Sequence, residues 1–485
     1  MSDTSTHAAP NVVLFVMDTM RAAETVPADP ELTPNLAALA ESGAEYTSTF
    51  TTAPWTLPSH VSMFTGTYPS KHGTHAEHTS FDGAHPTVVD AFADAGYETA
   101  GVSNNVWITD EFGMTDGFDT YRDDSERTDA WSGAGSLAHR ATNAVRQSDL
   151  GGPAFERLRR LVTDTDATDD GAAATVDWVA EWLDGRDSDA PFFLFANCIE
   201  PHLEYRPPPE YAREFLPEGW SYDRAMALRQ DPREYDVGEF DYTDEEWDVV
   251  RALYSAEISY LDTQIGRLRA ELEAAGEWED TVFVAVSDHG ENIGEHGFLG
   301  HQYSLFDTVL HVPLVVHGGA FSGDGVRTDR LVQTADLAPT LLDAAGIDAP
   351  DLREASQALS FHPTRGTEPR DQVIAEYMRP QPPIDVLEEK FDDLPAELYE
   401  YQRRLRAVRT DGYKYVRASD GQEWLYDVRG DPGEEHDISA ANPRQTAELA
   451  ASLDEWLGSF DEAEADGSVD VSDATEDRLA DLGYL

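Results

Sequence analysis

Ala53-Pro54-Trp55-Thr56-Leu57-Pro58-Ser59-His60-Val61-Ser62-Met63-Phe64-Thr65-Gly66 is the stretch around which the rest of the chain can be ordered. It places Thr56 at a strand-to-turn break and begins a helix over Ser59 to Phe64. Pro58 falls near the first turn, where its missing N–H removes no helical bond. A hydroxyl at the mouth of such a helix faces unpaired backbone N–H groups and the positive end of the helix dipole. That setting suits an anionic substrate and an activated alkoxide. A threonine there also serves as an ordinary helix cap, so the other segments decide between the two readings.

Three continuous apolar runs read as buried parallel strands: Asn11 to Met17, Phe192 to Cys198 and Thr281 to Val286. The first ends at Asp18-Thr19-Met20-Arg21. The second leads to Glu200-Pro201-His202-Leu203-Glu204-Tyr205, and the third to Ser287-Asp288-His289-Gly290-Glu291. Open α/β sheets place their chemistry at the carboxyl ends of such strands. An oxygen and an imidazole side by side before a glycine suit Zn²⁺, Mn²⁺ or a similar ion, and Gly290 is expected to turn the backbone without crowding it. Further helices are expected at Thr33–Ala40, 86–95, Val176–Leu183 and Glu245–Ala275, and a further strand at Thr99–Ser103. Residues 121–170 read as an Asp-rich insertion and 206–243 as a substrate-side insertion.

The 485 residues carry 94 acidic and 34 basic side chains, a net charge of −60. Acid is spread along the whole chain, and lysine is confined to Lys71, Lys390 and Lys414. Nucleic acid is excluded as an expected partner, because phosphate is repelled over most of the surface. The balance matches a protein of a salt-in halophile, where high internal salt screens the self-repulsion. No apolar run is long enough to span a bilayer, and Met1 to Pro10 lacks the features of a signal peptide. A cytoplasmic location is therefore expected. Cys198, the single cysteine, is expected to be a buried thiol.

Thr56-x-Pro58-Ser59-His60 followed by Thr65-Gly66 resembles the sulfatase family of the alkaline phosphatase superfamily. The family's pattern is Cys or Ser, any residue, Pro, Ser, Arg, then a helix ending in Thr-Gly. Thr56 replaces the Cys or Ser that the family oxidises to formylglycine, and His60 replaces the Arg. Asp18 keeps the first of two metal-binding aspartates, while Thr19 replaces the second. Asp288-His289-Gly290 is similar to the family's metal-binding Asp-His-Gly. Pro201-His202 is similar to its Pro-His-x-x-Tyr segment, and Gly300-His301 to the position of a Lys or His that contacts the ester. Asn104 falls near a substrate-contacting polar residue. Arg409 to Tyr415 and Leu425 to Pro432 resemble the family's C-terminal subdomain. The resemblance implies a central, mostly parallel α/β sheet flanked by helices over residues 1–365, and a smaller antiparallel-sheet subdomain with terminal helices over 366–485.

On this reading Asp18, Thr56, Asp288 and His289 hold one divalent ion, Ca, Mg, Mn or Zn, which activates Thr56 as nucleophile. His202 and His301 hold the ester's oxygens, and one of them protonates the leaving group. His60 tunes Thr56 or supports the metal site. Thr56, with one hydroxyl, cannot release sulfate by collapsing to an aldehyde. The expected activity is metal-dependent hydrolysis of a small-molecule or glycan sulfate ester. The alternatives are a phosphodiesterase or phosphonate monoester hydrolase using Thr56, a phosphoryl transferase to a glycan or lipid, and a non-catalytic relative.

The charge alone makes one prediction. Repulsion within so acidic a chain is screened over about 3 Å at 1 M salt, so the thermal midpoint is expected to rise from dilute buffer to molar KCl. A midpoint that stays flat or falls contradicts the halophile reading.

Overall fold

Asn11–Met17 forms β1, and every one of its residues is buried. In the computed structural model, which describes residues 9–25, 29–125, 169–323, 325–391 and 393–463 with 472, 475 and 479, this strand lies inside the large sheet. Along the chain follow β2 (Ala44–Phe50), β3 (Glu98–Ser103), β4 (Thr120–Asp123), β5 (Phe192–Cys198), β6 (Thr281–Ser287), β7 (Asn292–Ile293), β8 (Leu299–Gly300), β9 (His311–Val312), β10 (Leu314–His317) and β11 (Val326–Gln333). The sheet order is β11-β2-β10-β6-β1-β5-β3-β4, with β9 beside β2. β1 pairs in parallel with β5 and β6, β3 in parallel with β5 and β4, and β2 in parallel with β11. Only the β10 pairings with β6 and β2, and that of β9 with β2, are antiparallel.

Burial on both faces explains the unbroken apolar sequence of β1. Val12, Leu14 and Val16 enter a core shared with Leu57 and Val61 of the Thr56–Thr65 helix and with Phe92 and Leu341. Val13, Phe15 and Met17 enter the opposite core, under the long helix Asp244–Ala275 with its Leu253, Leu261 and Ile265. Thr243 caps that helix through a reciprocal capping box with Glu246.

The expected central strands all form. The helix expected from Ser59 already begins at Thr56, with Trp55 at the N-cap, so Thr56 is the first helical residue and not its cap. Strands β2, β4 and β11 were not among the expectations. β4 and the first helical position at Ser125 occupy the start of the presumed 121–170 insertion, and 126–168 lie outside the described residues. Residues 206–243 contain the short helices Pro209–Phe215, Tyr222–Ala225 and Pro232–Asp236. No helix among the described residues is long and apolar enough to cross a membrane.

Strands β12 (Gln372–Tyr377), β13 (Leu405–Thr410), β14 (Tyr413–Ala418) and β15 (Glu423–Asp427) make a separate antiparallel sheet, backed by the helix Pro443–Leu457. Lys414 fastens it to the segment preceding β9. Its ammonium is fully buried, donates to Leu305 O at 2.8 Å, and pairs with Asp307 at 2.9 Å and with Glu434. Asp307 N in turn donates to Glu434 Oε2 at 2.6 Å. Despite its burial, Asp307 is held down to about 2 by Lys414 and Arg409, while burial raises Glu434 to about 7.

Lys414→Met removes the cation between the two carboxylates, leaving Asp307 with Arg409 and the buried Glu434 with no ion-pair partner among the described residues. Breaking a buried pair in this way costs about 3–5 kcal/mol. The chemical-denaturation midpoint should fall accordingly; a loss within error of zero contradicts this account of the joint.

Candidate active site

The β1–β5 and β1–β6 ladders are in register to their last pairs, Met17 with Cys198 and Met17 with Ser287. The turns after the three strands therefore emerge at the same level, at the carboxyl edge of the sheet. Asp18 follows β1 and Asp288 follows β6. Both are wholly buried, as are His289 and Thr56.

The loop after β1 is pinned from two sides. Met20 N donates to Ser287 Oγ at 2.9 Å, and Tyr254 of the long helix donates to Thr19 O at 2.8 Å. Thr19 takes a left-handed φ of 56°, rare for a β-branched residue, and this lets its N–H reach Asp288 Oδ1 at 3.3 Å. Ser59 Oγ donates to Asp288 O at 2.7 Å, tying the Thr56 helix to the turn after β6. A Cβ at Gly290 would meet Thr308 O at 2.2 Å, so the close approach of a backbone carbonyl requires glycine there.

Asp18, Asp288 and His289 offer ligand atoms that all lie within 4.8 Å of one another. His289 Nδ1 donates to Gly290 O at 2.9 Å, which leaves Nε2 as an acceptor. That nitrogen faces Asp18 Oδ1 at 3.6 Å, Asp288 Oδ2 at 3.5 Å and Thr56 Oγ at 3.4 Å. Thr56 Oγ lies 3.5 Å from Asp18 Oδ2. Asp18 Oδ1 and Asp288 Oδ2 are buried and have no hydrogen-bond partner. Acceptors converging on one point without a donor call for a cation, and this donor set fits a divalent ion. Burial and the facing Asp288 raise the Asp18 carboxyl well above its usual range, and burial pushes Asp288 up to about 8.

His60 lies under this cluster. Its Nδ1 donates to Thr56 O at 2.9 Å and stands 3.6 Å from Asp288 Oδ2. His202 and His301 approach from the other side, with ring centres 5.3 Å apart, and His301 is 4.5 Å from the His289 ring. Burial pushes His60 and His202 down to about 4 and His301 to about 3, so all three rings are neutral at pH 7. The 2.9 Å contact between His301 Nδ1 and Glu291 is thus a hydrogen bond rather than an ion pair, made to a carboxyl that burial raises to about 7.

Asn104 is not brought into this group. Its amide donates to Asp170 O at 3.0 Å and accepts from Ile199 N at 2.8 Å, so it braces two loops. The adjacent Asn105 reaches the centre instead, donating to Asp18 Oδ2. Asn105 and Glu291 are the two contacts that sequence reasoning missed. Asn105 stood one position away in the same strand-end dipeptide, and Glu291 stood inside the quoted motif with no residue type to mark it.

The sulfatase family profile matches residues 10–347, and a profile for the C-terminal part of N-sulphoglucosamine sulphohydrolase matches 294–462. A choline-sulfatase of Rhizobium meliloti (strain 1021) is 26% identical over 511 aligned residues, covering 96% of this chain and 90% of that protein. A phosphonate monoester hydrolase of Agrobacterium radiobacter superposes with a TM-score of 0.69 at 23% identity, over 93% of this chain and 95% of that one. A structure bound to its substrate D-glucosamine-2-N,6-O-disulfate gives a TM-score of 0.68 at 20% identity, over 93% and 98% of the two chains. At these identities the two structures bear on the fold alone. The family's enzymes use a divalent metal ion, in keeping with the donor set built here. With a profile match over most of its length, on a fold whose strand ends gather Asp18, Thr56, Asp288 and His289, this chain belongs to the sulfatase family of hydrolases, within the alkaline phosphatase superfamily.

Proposed function

We propose that this protein hydrolyses a sulfate ester by a two-step displacement in which the Thr56 hydroxyl is the attacking group. One observation carries the reading: Thr56 Oγ sits inside the cluster of acceptors, 3.4 Å from His289 Nε2 and 3.5 Å from Asp18. Asp18, Thr56, Asp288 and His289 would hold a divalent ion, whose positive charge would lower the hydroxyl's pKa and polarise the ester. Three oxygens and one nitrogen admit Ca²⁺, Mg²⁺, Mn²⁺ or Zn²⁺.

In the first step Oγ bonds to sulfur, the ester's S–O bond breaks, and the alcohol leaves with the hydroxyl's proton. In the second, water attacks the Thr56 sulfate ester, returning the hydroxyl and releasing hydrogen sulfate. His202 and His301 bind the oxygens and pass the leaving-group proton, and His60 orients the first helical turn through Thr56 O.

Thr56 favours a second reading too, a phosphonate monoester or phosphodiester substrate, because both need the same second displacement. The charges support singly charged substrates in general. Around the two carboxylates the site offers neutral imidazoles, and Arg21 is engaged by Glu24 and Glu295. A divalent ion there leaves little net positive charge for a dianionic phosphate monoester. The high acid content supports a high-salt, cytoplasmic setting, and we keep the boundary between the two units near residue 365.

Two predictions test the reading. Protein dialysed against Mn²⁺ or Zn²⁺ is expected to retain about one ion per chain, and Asp288→Ala to lose most of it by elemental analysis; full content in that variant rejects the ligand set. Thr56→Ala is expected to lower turnover of the best of a set of aryl sulfate, phosphonate monoester, phosphodiester and phosphate monoester substrates by about a thousandfold, roughly 4 kcal/mol of barrier. Thr56→Ser should keep part of the activity. Near-wild-type turnover by Thr56→Ala would show that a water, not Thr56, attacks.

A further inference from the structure

Glu291 ends the run Asp288-His289-Gly290-Glu291 without a place in the ligand set. It is fully buried, and its carboxylate is divided between two loops. Oε1 accepts from His301 Nδ1 at 2.9 Å. Oε2 accepts from Leu203 N at 3.3 Å and from the Tyr205 hydroxyl at 3.2 Å, in the segment that carries His202. Arg21 Nη1 bonds to the backbone oxygen of Glu291 at 3.3 Å, while its side-chain ion pairs go to Glu24 and Glu295. These three hydrogen-bond donors are uncharged, while the Arg21 guanidinium acts on the carboxylate through space.

We propose that Glu291 is a positioning residue for both substrate-side histidines: it fixes His301 as the Nδ1–H tautomer and clamps the His202 loop against it. An imidazole whose Nδ1 proton is tied to a carboxylate presents Nε2 as an acceptor. The other oxygen does separate work. By holding Leu203 N and Tyr205, it sets the spacing of 5.3 Å between the His202 and His301 rings. A carboxamide cannot replace it, because its NH₂ group would face the Leu203 N–H donor if its oxygen served His301.

The kinetic part of this inference rests on the hydrolase reading; the tautomer does not. The test uses full-length ¹⁵N-histidine-labelled protein loaded with Mg²⁺, with the His301 resonances assigned by their loss in His301→Gln. Wild type is expected to show a protonated Nδ1 and an unprotonated Nε2 at pH 8.5, where the Glu291 carboxyl, raised by burial to about 7, is ionised. Glu291→Gln is expected to shift His301 to the other tautomer or to exchange between them, and to lower kcat by about 10–100-fold with metal content unchanged. Glu291→Asp, which keeps the charge, should recover the wild-type tautomer in part. A wild-type His301 protonated at Nε2 overturns the proposal, as does a tautomer unaffected by Glu291→Gln. Once His301 is assigned, the wild-type spectrum decides even if the Glu291 variants fail to fold. If no ester is hydrolysed while the tautomer is as expected, the hydrolase reading fails and the positioning role stands.

Discussion

Two carboxylates, Asp18 and Asp288, stand wholly buried at the ends of adjacent parallel strands. Left alone, such a pair repels and pays the desolvation of both charges. Each is given partial relief by the protein: Asn105 donates to Asp18, and the Thr19 and His289 N–H groups donate to Asp288 Oδ1. The remaining oxygen of each has no partner. The shortfall is a centre of positive charge, and the surrounding structure is organised to present it to one point.

That requirement reaches far beyond the site. The left-handed Thr19, the Tyr254 hydroxyl from the long helix, Ser287 between two turns and Ser59 at the start of the Thr56 helix each fix one strand end against another. The ties run from both faces of the sheet, so neither core can shift without moving a ligand. Thr56 gains its place in the same way, from the first turn of a helix locked to the backbone of Asp288, and not from a cap of its own.

Asp18, Asp288 and His289 were legible because each follows a continuous apolar run, and such a run in a parallel sheet ends where chemistry is placed. Thr56 was legible from Pro58, Ser59 and the Thr-Gly stop, though the helix starts earlier than its apolar residues suggest. β2, with sequence Ala-Glu-Tyr-Thr-Ser-Thr-Phe, and β11, with its exposed Arg and Asp positions, gave no such signal, because their places in the sheet come from pairing with each other rather than from composition. The choice between Asn104 and Asn105 turns on which way a side chain faces just past a strand end, where the alternation of the strand no longer applies. Glu291 was invisible for a broader reason: in a chain with 94 acidic residues, one more carboxylate carries no information until its three donors are seen.

The scarcity of lysine gives the Lys414 joint a practical meaning. Of the three primary amines on side chains, Lys414 is sealed between the small sheet and the segment before β9, and Lys71 bonds to Ala355 O. An amine-directed reagent applied to the folded protein meets Lys390 and the partly exposed Lys71 on the surface, and not Lys414. Labelling of Lys414 therefore reports the moment the small sheet lifts from the large one. The chain carries its own chemical clock for that opening, at a single residue and without any engineered probe.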